Sequence, residues 1–253
     1  MTRRRWIADE ATGDTAALVG EHAAHLARVL RAEIGQEFDI ATGDEVRRGS
    51  ITAISSDRVE FALGKISTTG GTEVHRGEPN EGELRRAPEI TLALAIFKFD
   101  RMEWAIEKCT EIGVARIIPV IARRTDARLA AAAVKRRERW QRIVRQAAEQ
   151  SRRASAPEVA APVKLKELSG VLPTGELTRV VLAVSEEDAR LGEVLQSRPP
   201  EVVLAVGPEG GWASGELSWF FETGWVAASL GNSILRTETA AIVGTALALE
   251  ALR

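Results

Sequence analysis

The sequence predicts an α/β protein with a mainly parallel sheet in its C-terminal two thirds, preceded by a small, separate β-rich domain. Three observations carry that expectation. From Glu89 onward strand-like runs alternate with helix-length amphipathic segments. Before that, the stretch Ser67 to Pro88 (STTGGTEVHRGEPNEGELRRAP) is nearly free of apolar residues, the composition of a linker or a long exposed loop. Earlier still, only short strand-like runs between turn signals occur.

In the N-terminal part the runs are Phe38-Asp39-Ile40, Ser50 to Ile54 and Arg58 to Leu63, with Gly35, Gly43 and Gly64 near the turns. Their number and brevity predict a small β-barrel. One helical piece, His22 to Leu30, is predicted because His25, Leu26, Val29 and Leu30 share a face at helical spacing. The domains are placed at 1–70 and 89–253, with a linker at 71–88.

In the C-terminal part Ile90 to Phe97 reads as a buried strand. Asp100 is expected to cap the next helix with Glu103 three residues on. Met102, Ala105, Ile106, Cys109 and Ile112 form its apolar face, and Gly113 ends it. Further strands are predicted at Ala115 to Ile121, Val180 to Val184, Val202 to Val206 and Trp225 to Leu230. Helices are predicted at Lys135 to Arg153, Asp188 to Gln196, Ser214 to Thr223 and Thr237 to Leu252.

With 253 residues, 45% hydrophobic and 28% charged, the chain can bury a proper core. Nothing approaches the roughly 18 consecutive apolar residues of a membrane span, and the start, MTRRRWIADE, lacks a signal peptide's apolar segment, so a cytoplasmic protein is expected. The lone Cys109 excludes an internal disulfide and a multi-cysteine metal site, and no metal is expected. The net charge of −2 conceals an uneven distribution. Between Arg123 and Arg153 eleven Lys or Arg face three acids, Asp126, Glu138 and Glu149, leaving +8. Such a segment suits a polyanion.

Two strands run into glycine-bearing loops that precede helices: VVLAVGPEGGWASGEL and AASLGNSILRTETAAIVG. At the carboxyl ends of strands in an open α/β sheet, glycines permit close backbone approach and helix amino termini expose unpaired N–H groups. The spacing Gly207-Pro208-Glu209-Gly210-Gly211 matches neither the dinucleotide fingerprint nor the phosphate-cradling loop. On shape alone either loop is a tight connection or a binding loop. His22, His25 and His75 all fall in the barrel or linker, which argues against a hydrolase centred in the α/β domain. Cys109 and most tryptophans read as core; Trp212, beside the glycines, is a candidate for base stacking.

Several segments are similar to one family. They are Val206 to Trp212; Leu230-Gly231 with Ile234 to Ala240; Lys98 with Asp100 to Trp104, Lys108, Thr110-Glu111, Gly113 and Arg116 to Pro119; Lys135, Arg139-Trp140 and Ala147 to Arg152; and His25-Leu26, Val29 to Arg31 and Gly35. In order and across almost the whole chain they resemble the bacterial 16S rRNA (uracil-N3) methyltransferases. Phe99, Arg152 or Arg153, and Asn232-Ser233 depart from the family pattern, where Gly, a small residue, and Pro with a basic residue are expected.

The resemblance implies a PUA-like barrel joined to a SPOUT methyltransferase domain whose last strands and helix form a trefoil knot. It also implies a homodimer acting on 16S rRNA or the 30S subunit. S-adenosyl-L-methionine is expected against three stretches: Val184, Ser185 and Glu186; Leu204, Ala205, Gly207, Glu209, Gly210 and Gly211; and Leu230, Gly231, Ile234, Leu235 and Arg236. Lys98, Arg101, Arg123, Arg124, Arg152, Arg153 and the cluster Arg3-Arg4-Arg5 are expected to bind RNA phosphates.

Methylation at uridine N3 requires loss of the N3 proton and stabilisation of the anion, whose charge spreads onto the ring carbonyl oxygens. Arg236 is assigned as the stabilising cation and Glu209 as a base or positioning acceptor. Against these roles stand a structural ion pair of Arg236 with Glu238 or Glu209, and a helix-end role for Glu209. Two other functions share these residues: 2′-O-ribose methylation of tRNA or rRNA, and a non-catalytic RNA-binding protein of ribosome assembly.

Overall fold

The computed structural model describes residues 5–43, 45–66, 89–183 and 189–252. Two compact units emerge, one formed by 1–83 with 145–156, the other by 84–144 with 157–253. The expected linker at 71–88, Arg3, Arg4, His75 and the cofactor candidates Val184, Ser185 and Glu186 lie outside the described residues.

The first unit is a six-stranded sheet of β1 (Arg5–Ile7), β2 (Glu10–Thr12), β3 (Thr15–Val19), β4 (Glu37–Ala41), β5 (Val46–Ile54) and β6 (Arg58–Ile66) in the order β1-β4-β5-β6-β3-β2. Its core gathers Trp6, Leu18, Leu26, Ile40, Ile51, Val59 and Phe61. Gly49 in β5 is dictated by that packing, since a Cβ there would stand 2.5 Å from Cγ1 of Ile40. The expected helix at 22–30 is α1 (Glu21–Ala24) followed by a π-helical turn, His25–Val29. Leu26 is its buried anchor, while Val29 and Leu30 are exposed.

The second unit is a parallel sheet. Its elements are β7 (Glu89–Ala95), α2 (Phe99–Ile112), β8 (Arg116–Ile121), α3 (Ala127–Gln150, whose end from Arg145 belongs to the first unit), β9 (Glu158–Val159), β10 (Val163–Lys164), β11 (Thr178–Leu182), α4 (Leu191–Val194), β12 (Glu201–Val206), α5 (Ser214–Glu222), β13 (Val226–Ala228) and α6 (Thr237–Ala251). The sheet order is β10-β8-β7-β12-β11-β13, with β9 beside β8, and all these pairings are parallel. After β7 the chain builds outward through β8 and β10, then returns to fill the other side, so the order reverses at the junction of β7 and β12. Such a reversal opens a crevice at the strands' carboxyl ends.

Alternation along the strands sorts the two faces. Val203 and Ala205 join Val181, Trp212, Phe220 and Trp225 in one core cluster. On the other face α6 approaches the sheet closely through Gly244, where a Cβ would lie 3.0 Å from Leu204 and 3.1 Å from Leu182.

The helix expected at Asp188 to Gln196 is the short α4, Leu191–Val194, and two further helix starts differ from expectation. Asp100 does not cap α2: the cap is Lys98, and Asp100 sits in the first turn, where its charge suits the helix dipole. Glu103 instead takes Arg136 and Arg139 at 3.3 and 2.8 Å. The helix expected from Lys135 begins eight residues earlier, at Ala127. Asp126 caps it, its Oδ1 accepting from the N–H of Arg128 at 2.7 Å and of Leu129 at 3.3 Å, and the alanine run that follows is strongly helix-forming. Among the described residues no helix is long and apolar enough to cross a membrane.

Candidate active site

Register brings the strand ends level. Leu182 pairs with Ala228, Val181 with Ala205, and Ala205 with Ala93, so the segments after β7, β11, β12 and β13 leave the sheet at one edge, side by side. The two glycine loops found in the sequence, 207–213 and 229–236, are among them.

The first loop is tied to its neighbours by named bonds. Glu209 Oε1 accepts from the N–H of Lys98 at 3.5 Å. The Arg124 guanidinium donates to the carbonyl oxygen of Gly210 and, at 3.4 Å, to that of Trp212. Glu216, buried in the first turn of α5, accepts from the N–H of Ala213 at 2.8 Å and from that of Arg123 at 2.7 Å. Thr125 Oγ1 accepts from the N–H of Ala122 at 3.1 Å and donates to the carbonyl of Ile96 at 3.2 Å. The ends of β7, β8 and β12 thus form one hydrogen-bonded assembly.

The second loop is joined to the segment after β11. Leu191 N–H donates to the carbonyl of Ser229, Ser229 N–H to that of Ala189, and Arg190 Nη2 to Asn232 Oδ1 at 3.2 Å. Gly231 has φ +127°, a backbone conformation that favours glycine. Among the described residues the main-chain N–H groups of Gly231 to Arg236 take no backbone partner. This run of unpaired amides suits a ligand that offers its own acceptors, as an adenosine does.

The family model described as an RNA methyltransferase domain matches residues 85–249, well over half of the chain. A ribosomal RNA small subunit methyltransferase E from Synechocystis is 33% identical over 224 residues, 88% of this chain and 68% of the relative. The chain belongs to this family. The Mycobacterium bovis member is 30% identical over 243 residues, 92% of this chain and 85% of its own. A crystal structure of the Neisseria gonorrhoeae member bound to S-adenosyl methionine superposes with a TM-score of 0.79 at 30% identity, over 96% of this chain and 95% of that one.

Within this family member the predicted site residues separate by position. Gly207, Glu209, Gly210 and Gly211 lie in the loop after β12, with Leu204 and Ala205 buried at the strand's end. Leu230, Gly231, Ile234, Leu235 and Arg236 lie in the loop after β13, Ile234 being 81% exposed. Arg236 is the exposed cap residue of α6, and its side chain has no ion pair or hydrogen bond among the described residues. Neither acid considered as its structural partner takes that role: Glu209 meets Lys98, and Glu238 lies 3.7 Å from Arg101. Lys98, Arg123 and Arg124 are exposed at the same edge, and Arg101 is half-buried beside Glu238. Arg5 is 3% exposed, and its guanidinium donates to the carbonyl of Arg152 within the first unit. Arg153 is half-buried there, and burial lowers its guanidinium below the ordinary range, while Arg152 is exposed.

Trp212 is packing rather than an open stacking surface: it is buried, edge-to-face on Phe220 with centroids 4.9 Å apart. Phe99 lies beneath the guanidinium of Arg136 at 4.8 Å and edge-on to Trp140. Cys109 is buried, and that burial pushes its thiol up to about 12, which suits the core role read from its helix face. Sequence reasoning missed Glu216, Thr125 and Arg190. Glu216 carried a local signal, an acid three residues after the cap of α5, and Thr125 closes a local turn on the N–H of Ala122; the bonds of Thr125 to Ile96 and of Arg190 to Asn232 reach partners distant in sequence.

Proposed function

We propose that this protein transfers a methyl group from S-adenosylmethionine to N3 of a uridine in 16S ribosomal RNA. The observation that carries this reading is that both glycine loops, after β12 and β13, leave the same end of the sheet on either side of β11, in a chain of the methyltransferase E family. The residues fit the cofactor: main-chain amides at 231–236 with no backbone partner among the described residues, glycines at 207, 210 and 211, and the apolar ends of β11 and β12.

In this reading Leu204 to Gly211, Leu230 to Arg236 and Val184 to Glu186 hold the cofactor. Bound there, S-adenosylmethionine supplies an electrophilic methyl group on a sulfonium. Arg236, exposed and without a partner among the described residues, donates to a uracil carbonyl oxygen and stabilises the negative charge that arises when N3 loses its proton. Glu209, exposed and accepting from the Lys98 amide, accepts that proton directly or orients the base. Lys98, Arg101, Arg123 and Arg124 hold RNA phosphates around this chemistry, with Arg3 to Arg5, Arg152 and Arg153 assigned phosphate contacts from the sequence.

The same reading takes residues 1–70 as a PUA-like barrel, 71–88 as a linker and 89–253 as a SPOUT domain with a trefoil knot. It makes the enzyme a cytoplasmic homodimer that completes each pocket at its two-fold interface. Methylating rRNA from a strain that lacks the gene, then digesting the product with nuclease and analysing it by mass spectrometry, tests the function. 3-Methyluridine in 16S rRNA is the expected product; a 2′-O-methyl nucleoside would replace this reading with ribose methylation.

A further inference from the structure

Between Ala127 and Val144 helix α3 carries six cations and one acid, Glu138. The structure sorts those cations into two groups. Arg136 and Arg137 are spent on the protein: Arg136 lies over the Phe99 ring and pairs with Glu103, and Arg137 Nε donates to the carbonyl of Val159 at 3.0 Å. Arg128, Lys135, Arg139 and Arg142 are all exposed. They follow one another at intervals of seven, four and three residues, so they fall on a single stripe of the helix. Arg139 also meets Glu103, yet its side chain stays 54% exposed.

At the helical rise of 1.5 Å per residue the stripe is about 21 Å long. It begins four residues after Arg124, the side chain that donates to Gly210 in the glycine loop. A row of exposed cations starting beside the glycine loop and running away from it complements a linear polyanion.

We infer that Arg128, Lys135, Arg139 and Arg142 form a phosphate-tracking ridge that holds the substrate RNA backbone as it leads to the glycine loops. The ridge rests on the proposed action on ribosomal RNA and adds to it the surface that carries the strand. It contributes affinity and register, not sequence recognition, because phosphates carry no base information.

The test uses the full-length double variant Arg128→Gln/Lys135→Gln and an unmethylated 16S rRNA transcript, with Lys166→Gln, an exposed lysine off the stripe, as control. RNA affinity is measured between about 50 and 200 mM NaCl, cofactor affinity by calorimetry, and mass by light scattering. The double variant should bind RNA about tenfold or more weakly at the lower salt, and the slope of log K against log salt should shrink by about two units. Its cofactor affinity should be unchanged, and Lys166→Gln should bind RNA as the unmodified protein does. Unaltered RNA affinity and slope in the double variant would overturn the ridge. So would a loss of RNA affinity that tracks dissociation of the protein into smaller species, which would make the stripe a contact between copies of this chain. Failure of the unmodified enzyme to form 3-methyluridine would instead overturn the functional reading, and the salt slope would still decide the ridge.

Discussion

The carboxylate of Glu216 accepts a hydrogen bond from the N–H of Arg123, 2.7 Å away and 93 residues earlier in the chain. With its other oxygen it accepts from Ala213 N–H at 2.8 Å, so one buried acid pins the amino end of α5 to the segment that follows β8. Glu216→Ala leaves two donors without their partner, which costs about 1–3 kcal/mol each when buried. The expected outcome is a lower urea midpoint with an unchanged m-value, together with weaker cofactor binding by calorimetry.

Gly210→Val should abolish cofactor binding without unfolding the protein. A Cβ at this position meets only the flexible side chain of Arg124, at 3.2 Å or more, so the fold can absorb it. A branched side chain would instead occupy the surface at which the backbone approaches the ligand. Calorimetry with S-adenosylmethionine and a thermal melt of the same sample measure both halves; wild-type affinity would remove this loop from the site.

Arg236→Ala should lower kcat about 100-fold or more, the usual cost of a lost electrostatic donor, while leaving RNA and cofactor affinities nearly intact. Because the side chain is exposed and has no partner among the described residues, Tm should not move. Single-turnover methylation of unmodified 30S particles separates the outcomes. Unchanged kcat with weakened RNA binding would reassign Arg236 to phosphate contact.

Asp9 makes the first unit sensitive to acid. Burial would raise its carboxyl, but His22, 3.9 Å away, and hydrogen bonds from Arg145 and the Val19 amide outweigh that and hold it well below the usual carboxylate range. A depressed carboxyl contributes stability above its unfolded pKa of about 3.9 and loses it as pH falls below that value. Asp9→Asn should therefore lower the urea midpoint at pH 7 and make it less dependent on pH between about 5 and 3. Parallel unfolding curves for both proteins across that range would contradict the assignment.

The sequence by itself determined the features that are local. Strand and helix periodicities, the glycines at 207, 210, 211 and 231, the Arg236–Thr239 segment and the family resemblance were all legible, because each depends on neighbouring residues or on short ordered strings. Helix starts were less legible: α2 begins at Phe99 with Asp100 inside its first turn, and α3 begins after Asp126, where an alanine run without an amphipathic pattern propagates the helix. Only the tertiary structure decided the strand order that sets the ends of β7, β12, β11 and β13 in a row, and with it which loops meet. It also decided where each charge is directed. Arg5 and Arg136 look no different in sequence from Arg124 and Arg128, yet two are spent on packing and two face outward or toward the glycine loop. The physical reason is that the partners of such groups lie tens to over a hundred residues away. Only closing the fold brings them within the 3 Å or so at which a hydrogen bond is made.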